Sequence, residues 1–143
     1  MDGKLTELQE RLMAFYHGHP FMEYIHIEAE PREDGSVWLT LRVEEEHTNL
    51  YGIVHGGVLL TLADTASGAA CLAMNKKVVT VNLSMEFMHS VPMTKKIIAV
   101  GRVLHDGRHM MSCESEILDE DGKLYAKSQG TFYVLGKLIE DEE

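Results

Sequence analysis

Basic residues are scarce in this sequence: thirteen Lys and Arg stand against twenty-three Asp and Glu, a formal net charge of -10. Nucleic-acid binding depends chiefly on Lys and Arg neutralising phosphates, so this balance excludes it as the main function. A small polyanion needs only a local cluster, which Lys76 and Lys77 or Lys95 and Lys96 could supply, unless they are solvated turn residues. Cysteine is nearly absent. Cys71 and Cys113 lie far apart without CxxC spacing, which rules out a disulfide framework and leaves small core residues or free thiols. Long apolar runs are missing too. The longest, Val58 to Ala73, spans sixteen residues and contains Asp64, short of the roughly 20 that a membrane-spanning helix needs. The N-terminus has no basic segment followed by an apolar stretch, as a signal peptide would, so a reduced, cytoplasmic setting without a membrane partner is expected.

What is present suits one globular domain, residues 1–143, large enough to bury a core without covalent staples. Leu5, Leu8, Leu12 and Phe15 recur at steps of three and four, predicting a helix over 4–17 within an N-terminal segment 1–20, stopped by Gly18 and Pro20. Met22, Tyr24 and His26 alternate with Glu23, Ile25 and Ile27, predicting a strand from Phe21 to Glu30 that Pro31 ends. Val37, Leu39, Leu41 and Val43 alternate with polar neighbours as a half-buried strand does. A glycine-rich loop over 49–57 leads into a helix reaching about Met74. Four strand-like runs follow. In the first, Val79, Val81, Leu83, Met85 and Phe87 share one face. Asp106-Gly107 and Asp119 to Gly122 read as hairpin turns between the others, and 136–143 forms an acidic tail. One wide-faced apolar helix among five or six antiparallel strands buries itself only if the sheet curls around it. The fold class is therefore α+β, and the edge strands of such a wrap invite pairing with a second copy.

Asp64 is the anomaly of the long helix, because a carboxylate in an apolar run costs free energy unless it is paired, hydrated or used. Its neighbours at helical spacing are Leu60, Thr61, Ser67 and Gly68, opposite Leu59, Leu62, Ala66 and Ala69. Either Thr61 or Ser67 satisfies it, or it faces solvent, or the small residues leave room for a ligand. The helix is entered through His55-Gly56-Gly57, where free backbone N–H groups and the helix dipole would favour developing negative charge. Such a glycine pair also serves purely conformational needs. Asn49 is either a turn residue or an amide donor near His55. The pairs His17 with His19 and His105 with His109 lack a third ligand, so no metal is expected. "GIVHGG" fits neither a P-loop nor GxGxxG, and GxSxG is absent.

The stretch "NLYGIVHGGVLLTLADTASGAA", with Asn49, the His55-Gly56-Gly57 triplet and Asp64, resembles the signature of hotdog-fold acyl-CoA thioesterases of the PaaI-like and thioesterase superfamily member 2 types. "VVTVNLSMEFMHSVP" and the last three strand runs extend the resemblance over nearly the whole chain. The resemblance implies a hotdog fold, a long central helix wrapped by a curved antiparallel sheet, assembled as a dimer or a tetramer of the dimer-of-dimers type. It implies hydrolysis of an acyl-CoA thioester, with Asp64 as general base or nucleophile and the Gly56 N–H polarising the carbonyl across a dimer interface. Asn49 and His55 would position the water, the thioester or the leaving sulfur, and Thr80 would stand beside the carboxylate. Gly57, Lys76 and Arg108 fall at substrate-binding positions, Arg108 near the CoA nucleotide. No cofactor is implied, since CoA belongs to the substrate. The alternatives are a non-catalytic acyl-CoA-binding or sensing hotdog domain and a hotdog acyl-thioester hydratase.

Overall fold

The structure, a computed structural model, describes residues 6–140. Its centre is helix α3, Gly56–Leu72, laid against a six-stranded antiparallel sheet in the order β1-β2-β4-β5-β6-β3. The strands are β1 Glu28–Pro31, β2 Val37–Arg42, β3 Lys77–Phe87, β4 Lys96–Asp106, β5 Met110–Asp119 and β6 Leu124–Gly136. Both hairpin turns fall where Asp106-Gly107 and Asp119 to Gly122 place them. Leu59, Leu62, Ala66 and Ala69 turn inward and are buried, meeting Leu39, Leu41, Ala99 and Ile117 of the sheet. Full burial of a leucine side chain contributes about 1.5–3 kcal/mol, which makes this face the main anchor of the helix.

Small residues bring α3 close to β4. A Cβ atom added at Gly101 would lie 2.1 Å from the backbone oxygen of Ala66, so no other residue fits there without moving the helix. Ser67, expected beside Asp64, instead turns toward this contact. It is fully buried and its hydroxyl has no partner among the described residues.

The region before β2 differs from expectation. Residues Pro20–Ile25 form a short helix, α2, and only Glu28–Pro31 pair as a strand. Pro20 sits at the first helical position, where its fixed φ favours a helix start, and His26 ends the turn in the left-handed region at φ 67. Alternation over six residues did not distinguish one helical turn from a strand. Helix α1 spans Glu7–Tyr16, and the predicted contributions of Lys4 and Leu5 lie outside the described residues, as does the tail from Asp141 to Glu143. Leu12 is buried as expected, whereas Phe15 is 53% exposed and Gln9 is fully buried. The Gln9 side chain completes a capping box with Thr6 and donates to the carbonyls of Arg32 and Ser36, tying α1 to the β1–β2 turn.

The first face assignment in β3 is corrected by a bulge. Thr80 pairs with Phe132 but Asn82 pairs with Thr131, leaving Val81 as an extra residue. Before the bulge Val78 and Thr80 face the helix; after it Leu83, Met85 and Phe87 do, opposite Gly130, Ser128 and Ala126. Val79 and Val81 are consequently exposed at 47% and 57% rather than sharing a buried face.

Cys71 and Cys113, remote in sequence, meet in a second cluster with Met111 and Phe132, their sulfurs 3.3 Å apart as free thiols. The hydrogen bond between them pulls the Cys113 thiol down and pushes Cys71 up. At the β5–β6 turn, burial would raise the Asp119 carboxyl, but Lys123 N–H, the Tyr125 hydroxyl and Lys95 overcome it and hold the carboxyl below its ordinary value. Among the described residues no helix is long and apolar enough to cross a membrane.

Replacing Gly101 by Ala forces α3 off the sheet. The urea midpoint of Gly101→Ala is expected to fall, corresponding to a loss of about 2 kcal/mol or more of unfolding free energy; an unchanged midpoint would remove this close approach as a constraint.

Candidate active site

Asp64 lies on the outer stripe of α3, half-buried, and its partner comes from the neighbouring strand rather than from the helix. The Thr80 hydroxyl donates to Asp64 Oδ1 at 2.5 Å. Thr61 and Thr65 cannot serve this role as they stand, because their hydroxyls donate to helix carbonyls of Gly57 and Thr61 at 2.9 and 2.7 Å. The bulge at Val81 makes the Asp64–Thr80 pair possible, since an unbroken alternation with Leu83 and Met85 inward would turn Thr80 outward.

The helix start forms a second group. His55 is the N-cap, and its Nδ1 accepts from the Gly57 N–H at 2.8 Å. That commits the Gly57 donor. A side chain at position 57 would also press on the imidazole, with Nδ1 3.0 Å from an added Cβ. The Gly56 N–H meets no acceptor among the described residues, and it points out of a helix N-terminus where negative charge is favoured. The Phe87 ring lies 3.5 Å from where a Gly56 Cβ would stand. Strand β3 therefore runs back along α3, with Thr80 at Asp64 and Phe87 at Gly56.

The loop before α3 is tied by its own hydrogen bonds. Asn49 Oδ1 accepts from the backbone N–H of Tyr51 at 2.9 Å, and the Asn49 main chain pairs with Ile53. Asn49 and His55 line one open cleft with Thr48, Leu50 and Tyr51. His47, not singled out in the sequence, holds this loop from beneath. It is 1% exposed; its Nδ1 accepts from Glu44 N–H, its Nε2 donates to the Ile25 carbonyl at 2.7 Å, and its own carbonyl takes the His55 N–H. No spacing rule marks such a residue.

The basic candidates separate. Lys76 is bound to Asp106 and to the Gly107 carbonyl, so its charge is compensated, while Arg108 on the same turn is exposed with no partner among the described residues. No group of His, Cys, Asp and Glu among the described residues could hold a metal ion.

Asp64 and Thr80 open onto a cavity of about 480 Å³ between α1, α3, β3 and β6. Its apolar walls come from Phe15, Tyr16, Leu72, Val78, Phe132 and Leu135. Burial pushes the Tyr16 phenol well up, so it stays neutral in this wall. The partial exposure of Phe15 is explained here: it lines the cavity instead of filling the core. Residues drawn from four elements carry no common sequence spacing.

Residues 51–126 match the family described as the Thioesterase superfamily. The chain belongs to the thioesterase superfamily. Human acyl-coenzyme A thioesterase 13 is 31% identical over 100 residues, 68% of this chain and 71% of that protein. The Escherichia coli PaaI protein of the phenylacetic acid degradation operon superposes with TM-score 0.83 at 23% identity, covering 93% of this chain and 96% of that one. A Streptococcus mutans protein solved with acetyl CoA superposes with TM-score 0.72 at 29% identity, covering 78% of this chain and 90% of that one. The chain is thus a PaaI-like thioesterase with the hotdog fold expected of it.

In this thioesterase the Asp64–Thr80 hydrogen bond is accessible to mutation without touching the core. Thr80→Val is expected to lower thioester hydrolysis about 10- to 100-fold, the worth of a hydrogen bond to a charged group, with Thr80→Ser close to wild type. Equal rates in Thr80→Val and wild type would place the pair outside the reaction.

Proposed function

We propose that the protein hydrolyses acyl-CoA thioesters to a free carboxylic acid and CoA at a site shared by two copies of the chain. One distance carries this proposal. Gly56 and Asp64 are eight residues apart on one helix, so about 12 Å of axis separates the free N–H from the carboxylate. A carbonyl oxygen sits only about 1.2 Å from its carbon. A donor and a carboxylate each within about 3 Å of that bond span less than this, and a relaying water closes the gap only in a fully extended line, so the separation favours a donor from a second chain.

A second copy supplies what is missing. Strand β3 is an eleven-residue edge of the sheet whose Val79 and Val81 are exposed, and Leu50 and Tyr51 beside Asn49 are 97% and 82% exposed. Unpaired edges and exposed apolar groups of this kind are ordinary material for self-association. In the dimer Asp64 of one chain faces Asn49, His55 and Gly56 of the partner subunit. Water loses its proton to the Asp64 carboxylate as it attacks the carbonyl carbon, or the carboxylate attacks directly and water then resolves the anhydride. The Gly56 N–H receives the oxyanion, and collapse expels the CoA thiolate. The uncompensated guanidinium of Arg108 is available to CoA phosphates; Lys76 is already neutralised by Asp106. The chemistry needs no cofactor, and the Streptococcus mutans relative with acetyl CoA and the human acyl-coenzyme A thioesterase support the substrate class.

Release of free thiol from a panel of acyl-CoAs tests this directly. Wild type is expected to turn over some members, and folded Asp64→Ala to lose at least about 100-fold. Binding without hydrolysis by both proteins would replace the hydrolase with an acyl-CoA sensor.

A further inference from the structure

Most glycines here have a local reason. Gly101 has no room for a Cβ, Gly52 and Gly122 have positive φ, and Gly56 and Gly57 open a helix. Gly68 has none of these. It lies inside α3, does not adopt a positive φ, and an added Cβ would meet no heavy atom within 4 Å. Glycine in a helix interior is destabilising relative to alanine, so the helix itself gains nothing from it. What the missing side chain keeps open is the cavity beside Asp64, which Gly68 lines one turn beyond the carboxylate.

We propose that Gly68 determines acyl specificity by holding this cavity open for a medium-chain aliphatic acyl group. The inference rests on the reading that Asp64 faces the thioester. The cavity follows α3 from Asp64 to Leu72, about 12 Å of helix axis, which matches an extended chain of roughly eight to ten carbons at bonds of about 1.5 Å. At about 480 Å³ it lies within the usual range of small-molecule sites and far exceeds what an acetyl methyl fills. Its polar groups are Asp64, Thr65 and Thr80 at the thioester end and Lys77 toward the other, with Phe15, Tyr16 and Phe132 between them. A side chain at 68 projects into the middle of that path, so it obstructs a long chain and spares a short one. Leucine is the useful replacement, because it favours helix and therefore isolates occlusion from misfolding.

The test compares wild type, Gly68→Ala and Gly68→Leu on acetyl-, hexanoyl-, decanoyl- and benzoyl-CoA, together with calorimetric binding of the matching non-hydrolysable S-alkyl-CoA thioethers. Wild type should prefer decanoyl-CoA. The decanoyl-to-acetyl ratio of kcat/KM should fall at least about tenfold in Gly68→Leu, with a smaller fall in Gly68→Ala, and the thioether affinities should lose their rise with chain length. A ratio and an affinity series that stay the same as in wild type would overturn the proposal, as would a wild-type preference for acetyl or benzoyl. Loss of the oligomer in Gly68→Ala would overturn it too, by showing that the glycine admits a second helix rather than an acyl chain. If wild type hydrolyses none of the four, the hydrolase fails by itself, while the thioether series still decides whether Gly68 sets chain length.

Discussion

The contact between the inner face of α3 and strand β4, close enough to leave no space for a Cβ at Gly101, is the constraint on which the rest depends. It commits Leu59, Leu62, Ala66 and Ala69 to the sheet and leaves one outer stripe of the helix for everything else. Asp64 has to lie on that stripe, because the inner face offers a carboxylate no partner and burial without one is costly. Once the helix is fixed and straight, the separation between its N-terminal donors and Asp64 is fixed with it. That separation is what favours a donor and a carboxylate drawn from different chains in the proposed site.

The surrounding polar groups follow the same economy. Threonines on the stripe turn their hydroxyls back to helix carbonyls, so the carboxylate is served from β3, and a one-residue bulge brings Thr80 into line. The bulge also exposes Val79 and Val81 on the edge strand where a second copy would pair. One inserted residue thus both gives Asp64 its partner and leaves these two valines exposed on the edge. On the opposite end, buried His47 and the Asn49 turn keep the loop before the helix in one shape, which fixes His55 as the cap and leaves Gly56 free.

Much of this could be read from the sequence where a pattern was long and one-sided. The α3 core face, the alternation of Val37 to Val43, both hairpin turns and the hotdog arrangement followed from periodicity and from the motif around Asp64. The misreadings have physical causes. Six residues after Pro20 alternate as well in a helical turn as in a strand, so α2 was missed. A bulge reverses which side chains face inward without altering composition, so the faces of β3 were misassigned before Val81. Tertiary proximity is also invisible to spacing: Cys71 meets Cys113, Lys76 meets Asp106, and Phe15 meets the cavity of Asp64 only once the sheet has curled. The candidate site residues can be pointed to as positions in the sequence, but spacing does not show that they divide into two groups on one chain.

Mixing two inactive variants measures that division. Asp64→Ala and His55→Ala proteins, each first assayed by itself to establish that it is inactive, would be unfolded together, refolded at equal amounts and assayed for thiol release. A site shared between chains predicts recovery of about one quarter of wild-type activity, because half of the random dimers are mixed and each of those carries one intact site. Activity no higher than that of the separate variants, with mixed dimers shown to be present, would contradict the account and place the whole reaction within a single chain.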